Sequence, residues 1–114
     1  MLELDTADKR PLHEQVASAI RRAIAEGDWA PGDRLPAARA LSQALRVNVN
    51  TTLRGLRTLR NEGLLEFRRG RGVTVTRRAD ERSALLDRLL DVVADAARLG
   101  YNKSDVIDMI KTLP

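Results

Sequence analysis

The chain has 114 residues, of which 43% are hydrophobic and 32% charged, enough for one small globular domain with a short appendage. It contains no Cys, which excludes disulfides, thiol chemistry and thiolate metal sites. No apolar run approaches the roughly 18 residues of a membrane span, and the first residues lack the pattern of a signal peptide. We therefore expect a cytoplasmic protein that does not enter the membrane.

The net charge of +4 is distributed unevenly along the chain. Residues 1–78 contain 15 Lys or Arg and 9 Asp or Glu, a net charge of +6, whereas residues 79–114 contain 5 and 7, a net charge of −2. Within residues 46–78, nine Arg are opposed only by Glu62 and Glu66. Such a block is typical of a surface that binds a polyanion, although an ordinary solvated surface has the same composition.

Periodic apolar residues predict a first helix over 11–26, followed by a turn-rich connector over 28–35. In the helix, apolar side chains recur every four positions, at Leu12, Val16, Ile20 and Ile24. Pro11 suits the first turn of this helix, and Gly27 suits its carboxyl end.

The next two predicted helices have the spacing of a helix-turn-helix. Pro36 opens a short helix that ends near Arg46, and Asn48 is a good N-cap for a third helix over 49–62, with Gly63 at its end. The residues expected to face inward are Ala38, Leu41 and Leu45 on the second helix and Thr52, Leu56 and Leu59 on the third.

A basic hairpin is predicted directly after the third helix. Residues 64–67 and 73–76 are β-prone, and they flank the sequence Arg-Arg-Gly-Arg-Gly at 68–72. Three helices followed by a hairpin is the order of a winged helix. The predicted fold class is therefore mainly α with a small β-hairpin (α+β), with a winged helix-turn-helix DNA-binding domain over 1–78.

The segment from Ala79 onward is acidic and leucine-rich and predicts two helices, which we expect to form a dimerisation tail over 79–114. Gly100 ends the first helix, and Asn102 with Asp105 resembles a capping box for the second. Two helices alone cannot bury this much apolar surface, so we expect the same pair from a second chain; a groove on another protein is the alternative. The predicted homodimer interface consists of Leu85, Leu86, Leu89, Leu90, Val93, Ala97, Val106, Ile110 and Leu113.

Side chains on the outward face of the third helix and on the hairpin have the chemistry of double-stranded DNA recognition. Asn pairs bidentately with adenine and Arg with guanine, while cations and small hydroxyls hold phosphates. A glycine at the wing tip permits close approach, and its Arg neighbours can enter the minor groove. The residues predicted to contact DNA are Arg39, Asn48, Asn50, Thr51, Arg54, Arg57, Arg69, Gly70 and Arg71.

Several of these residues also have a purely structural interpretation. Asn48 is a helix cap in any case, and Gly70 can serve only the turn. Arg57 can be solvated or, like Arg60, can pair with Glu62. The combination of spacing and charge, rather than any single residue, indicates DNA binding.

Four motifs, within about residues 9–76, closely resemble the GntR family of bacterial transcription regulators. They are Pro-Leu-His-Glu-Gln at 11–15, Pro-Gly-Asp-Arg-Leu-Pro-Ala-Ala-Arg-Ala-Leu at 31–41, Glu-Gly-Leu-Leu at 62–65 and Gly-Arg-Gly-Val at 70–73. The sequence Val-Asn-Val-Asn-Thr-Thr at 47–52 and the short helical tail are similar to the YtrA branch. This resemblance implies a dimeric repressor that binds a near-palindromic operator.

The same resemblance implies which positions contact DNA, namely Arg39, Asn48, Asn50, Thr51 and Gly70. There are also departures from the family pattern. Val49 and Leu53 stand where many relatives have Arg, and Ala37 with Ala38 replaces the usual Ser-Glu. Arg54 is a candidate to supply the missing cation.

Other classes of function have weaker support. The only His is His13, and no nucleophile–base pair is present, so we expect neither an enzyme nor a bound cofactor. Asp87, Asp91 and Asp95 have the spacing of a carboxylate metal site, but nearby Arg residues favour a solvated polar face, and we expect no metal. The remaining rivals are a nucleoid-type protein that binds DNA without sequence preference and an interaction module that docks through its tail. A small-molecule effector is not identifiable.

Overall fold

The computed structural model describes residues 2–114. The elements in this part of the chain are α1 (Leu12–Ala25), α2 (Ala38–Leu45), α3 (Val49–Asn61), β1 (Leu65–Arg68), β2 (Gly72–Val75), α4 (Ala79–Arg98) and α5 (Lys103–Lys111). The two strands pair antiparallel as a hairpin. This order of elements confirms the predicted α+β winged helix class.

The chain divides into two compact units, of which the first ends at Ala84 and the second is Leu85–Pro114. The first turn of α4 belongs to the first unit, where Ala79 and Ser83 are buried.

The core of the first unit is aliphatic and is centred on the packing of α1 against α3. Most of the periodic apolar side chains are buried, but Leu12, the first of those on α1, is 52% exposed. Leu12 is the first residue of α1 and lies one turn before Val16, the side chain that meets α3. The predicted core residues that are buried are Val16, Ile20, Ile24, Leu41, Leu45, Thr52, Leu56 and Leu59, whereas Ala38 is half-buried.

The helices α1 and α3 lie in close contact at Gly55. A Cβ atom at this position would lie 2.8 Å from Cγ1 of Val16 and 3.1 Å from the carbonyl oxygen of His13. Both distances are shorter than ordinary van der Waals contact, and one of the two atoms is backbone. Glycine therefore sets the distance between α1 and α3.

A partly buried ion pair fixes the carboxyl end of α3 to α1. The guanidinium of Arg21, only 3% exposed, donates from Nε and Nη2 to the two carboxylate oxygens of Glu62, at 2.9 and 2.6 Å. Glu62 therefore pairs with Arg21 rather than with Arg57 or Arg60. The guanidinium of Arg60 lies over the ring of Phe67 instead, 4.9 Å from its centroid, which links α3 to β1.

The segment before α1 is tied back onto the helix through Gln15. The buried amide of Gln15 donates to the carbonyl oxygens of Asp8 and Arg10, at 3.1 and 2.8 Å. The guanidinium of Arg10 hydrogen-bonds to the Asp8 carboxylate and holds the pKa of that carboxyl below its ordinary value.

The hairpin strands each begin one residue away from the predicted positions. Leu64 is still part of the turn that ends α3, because its N–H donates to the carbonyl of Leu59 at 2.9 Å. Consequently β1 begins at Leu65, and its partner in the register is Val75.

We expect Gly55→Ala to lower the free energy of unfolding by about 1 kcal/mol, because overpacking against a fixed backbone outweighs the better helix propensity of Ala. Urea unfolding followed by circular dichroism measures this change. In a Val16→Ala background the same substitution should cost less, since Cγ1 is then absent. Equal costs in the two backgrounds would contradict the close contact.

Candidate nucleic-acid interface

The amino end of α3 presents small polar side chains. Asn48 is the N-cap, as predicted, and its side-chain oxygen accepts a hydrogen bond from the N–H of Asn50 at 2.8 Å. Asn50 is exposed and Thr51 is half-buried. The first turn contains no acidic residue, so nothing in it repels an approaching phosphate.

The cations of the helix-turn-helix project into solvent. Arg39 on α2 and Arg54 and Arg57 on α3 are exposed, and none of them forms an ion pair within residues 2–114. Unpaired guanidiniums are available to bind guanine edges or phosphates.

The opposite face of α3 is fixed in the core. Thr52 is fully buried, and its hydroxyl is 2.8 Å from the hydroxyl of Ser42, which in turn donates to the carbonyl of Ala38. This hydrogen bond joins α2 to α3 inside the core. The outward face of α3 therefore projects from a rigid support, which recognition of base edges requires.

The hairpin gains a third segment that sequence reasoning treated as a plain connector. The N–H groups of Gly32 and Leu35 donate to the carbonyls of Val75 and Val73, both at 2.8 Å. The N–H of Val75 donates back to the carbonyl of Asp33 at 2.9 Å. Residues 32–35 thus extend the sheet along the free edge of β2 and connect the hairpin to the rest of the first unit.

This third segment adds a guanidinium to the wing. The side chain of Arg34 covers Gly72, where an added Cβ would lie 3.0 Å from its Nε. Sequence reasoning missed Arg34, because Asp33-Arg34-Leu35 lacks the polar–apolar alternation that would predict a strand edge.

The tip of the wing is open and basic. Gly70 adopts a left-handed backbone, φ 79°, with open space around it, and Arg69 and Arg71 on either side are exposed. Arg68 pairs with Glu66 at 2.9 Å. A cleft of about 380 Å³ beside the hairpin is lined by three arginines, two threonines and one carboxylate, namely Arg68, Arg71, Arg77, Thr74, Thr76 and Glu66.

In the second unit, apolar side chains remain exposed along both helices. Of the residues predicted to form the homodimer interface, Ala97 is also exposed, Leu86 and Val93 are half-buried, and Val106 is buried within its own chain. The large exposed apolar residues of this unit are Leu85, Leu89, Leu90, Val92, Leu99, Tyr101, Ile107, Met109, Ile110 and Leu113.

The second helix of this unit begins as predicted. Asn102 and Asp105 form a complete capping box, with both hydrogen bonds at 2.9 Å. The acidic face of α4 includes Asp95, which pairs with Arg98.

The described residues contain neither a candidate metal site nor a candidate membrane span. No group of His, Cys, Asp or Glu side chains able to hold a metal ion occurs in the described residues. Between residues 2 and 114, no helix combines the length and the apolar character that a membrane span requires.

Together these features define the class of protein. A helix-turn-helix with a rigidly supported third helix, followed by an arginine-rich hairpin, is a winged helix-turn-helix DNA-binding domain.

Comparison with known proteins identifies the family. Residues 12–75 match the family described as bacterial regulatory proteins, gntR family. The chain is 26% identical over 119 residues to the HTH-type transcriptional repressor YtrA of Bacillus subtilis, an alignment covering 99% of this chain and 92% of that protein.

Solved structures agree with this assignment. The fold is similar to a GntR family transcriptional regulator from Listeria monocytogenes, with a TM-score of 0.65, 27% identity, and coverage of 94% of this chain and 98% of that one. It is also similar to AraR(DBD) in complex with operator ORX1, with a TM-score of 0.60, 26% identity, and coverage of 65% and 94%. The chain therefore belongs to the GntR family, as its motifs predicted, and is a DNA-binding transcriptional regulator.

Proposed function

We propose that the protein is a cytoplasmic, homodimeric repressor that binds a near-palindromic operator and blocks transcription. Residues 1–78 are the DNA-binding domain and residues 79–114 the dimerisation tail. The function requires no cofactor, no metal and no catalytic step. The name of the Bacillus subtilis relative, a transcriptional repressor, supports repression rather than activation.

The observation that carries this proposal is the first turn of α3. It presents the amides and hydroxyl of Asn48, Asn50 and Thr51 on a helix whose other face is fixed in the core. Amides and hydroxyls discriminate between bases in the major groove, whereas a protein that binds any duplex needs only cations. This arrangement favours sequence-specific control over nucleoid-type binding.

The arginines divide between base choice and affinity. Arg39, Arg54 and Arg57 accompany the polar readers, where a guanidinium can pair bidentately with guanine or hold the adjoining phosphate. Arg69 and Arg71 flank Gly70 at the tip of the wing, where they insert into the minor groove or bind its phosphates. The cleft lined by arginines beside the hairpin supports the assignment of the wing to phosphate binding.

The exposed apolar residues of Leu85–Pro114 support the homodimer. Ten large apolar side chains in this unit are at least 40% exposed, and exposed apolar patches commonly mark protein–protein interfaces. A twofold-symmetric dimer covers the patch with an identical one and presents two copies of α3 to two inverted half-sites. A second protein seated on the tail is the competing occupant.

Asn50→Ala should weaken binding to an operator selected from random duplexes by about 1–3 kcal/mol and leave binding to a scrambled duplex unchanged. Arg69→Ala is the matched wing variant. It should weaken binding to both duplexes equally and reduce the slope of log affinity against log salt concentration by about one. Fluorescence anisotropy titrations over a range of salt concentrations measure both effects. Equal losses on the two duplexes for Asn50→Ala would show that this residue does not read sequence.

Leu89→Lys should convert the dimer into a monomer, because Leu89 is 40% exposed in its own chain and its replacement removes apolar surface without disturbing the core. Asp91→Lys is the matched control, because residues two apart in a helix, such as Leu89 and Asp91, lie on nearly opposite faces. We expect the control to remain dimeric despite its larger change of charge. Sedimentation equilibrium at micromolar concentration distinguishes the two masses, and a native chain that sediments as a monomer would overturn the dimer.

A further inference from the structure

The residue that ends α2 has a backbone conformation that its side chain disfavours. Arg46 lies in the left-handed region, φ 59° and ψ 44°. The helix closes there, since the N–H of Val47 donates to the carbonyl of Ser42 at 3.0 Å. Glycine usually occupies such a position, with Asn as the common alternative, because a Cβ atom is strained in this conformation.

Among the described residues, no polar partner of the Arg46 side chain accounts for an arginine at this position. Apart from glycines, the only other left-handed residue among those described is Arg78, and its guanidinium pairs with Glu81 at 2.9 Å. Arg46 is exposed and forms no ion pair or side-chain hydrogen bond within residues 2–114. The hydrogen bonds that close α2 would form with any residue here, so an arginine in place of the less strained glycine, with no polar partner within residues 2–114, indicates a role outside the folded chain.

The position of Arg46 suggests what that role is. It lies two residues before Asn48, the N-cap of α3, in the turn of the helix-turn-helix. The turn that follows, Val49–Thr52, contains no charged side chain. Arg46 therefore places a positive charge close in sequence to a helix end that favours phosphate but has no cation in its first turn.

We propose that Arg46 binds a DNA phosphate beside the base pairs that α3 reads, and that this contact compensates for the strained backbone of the turn. The proposal rests on the proposed function, in which the amino end of α3 enters the major groove. Because the ligand is a phosphate, the contact contributes to every duplex, whatever its sequence.

Two variants of Arg46 separate strain from charge. Arg46→Asn removes the charge and places a residue that tolerates the left-handed region, whereas Arg46→Lys keeps both the charge and the strain. Arg22→Gln is the matched control, because Arg22 is an exposed, unpaired arginine in the last turn of α1 and its loss changes the net charge equally.

The expected result for Arg46→Asn is a higher melting temperature, by about 2–5 °C, together with weaker DNA binding. Affinity should fall about tenfold for both a selected operator and a pool of random duplexes at moderate salt, and the salt slope should decrease by about one. Arg46→Lys should keep the native melting temperature and most of the salt slope. Arg22→Gln should change neither duplex affinity appreciably.

The possible failures are distinguishable. If the native chain binds no duplex even at low salt, the proposed function itself is wrong. If the native chain binds and Arg46→Asn matches Arg22→Gln in affinity and salt slope, the phosphate contact is overturned while the proposed function stands. A lower melting temperature for Arg46→Asn would overturn the compensation of strain.

Discussion

The position of α3, the helix that we propose reads the base edges, depends on its close contact with α1 at Gly55. No side chain fits there, because an added Cβ would lie 2.8 Å from Val16 and 3.1 Å from a backbone oxygen of α1. Two polar contacts hold the rest of α3. The hydroxyl of Thr52 is hydrogen-bonded to that of Ser42 on α2, and the ion pair of Arg21 with Glu62 fixes the carboxyl end of α3. These contacts occupy the inner face of α3 and leave its outer face for DNA.

The wing complements this arrangement through charge rather than shape. Main-chain hydrogen bonds of 2.8–2.9 Å join residues 32–35 to β2, and the contact of Arg60 with Phe67 links the hairpin to α3. Its arginines extend the positive charge of the helix-turn-helix, whereas residues 79–114 are acidic. Phosphate attracts residues 1–78, whose net charge is +6, and slightly repels residues 79–114, whose net charge is −2, so the charge distribution favours approach of the basic unit to the duplex.

Local signals predicted most of the fold. Caps at Asn48 and Asn102, and glycine at the end of α3, act through neighbouring residues, so the sequence reveals them directly. The contact at Gly55 and the partner of Glu62 depend on elements distant in the chain, and helical periodicity carries no information about them. The same limit applies to the site. Asn48, Asn50 and Thr51 were predictable because they lie at the amino end of a single helix. The position of Arg34 beside Gly72 was not, because it depends on an edge pairing that only the folded sheet reveals.

Sequence-specific DNA binding by a chain of this size is the central claim, and the ratio of two affinities tests it most directly. An operator is first selected from random duplexes with the native chain, and it is then titrated beside a scrambled duplex of the same length and composition at physiological salt. We expect the operator to be preferred by at least about a thousandfold, and its sequence to contain two inverted half-sites. Equal affinity for the two duplexes would contradict the account, because the polar first turn of α3 would then contribute nothing that the arginines do not.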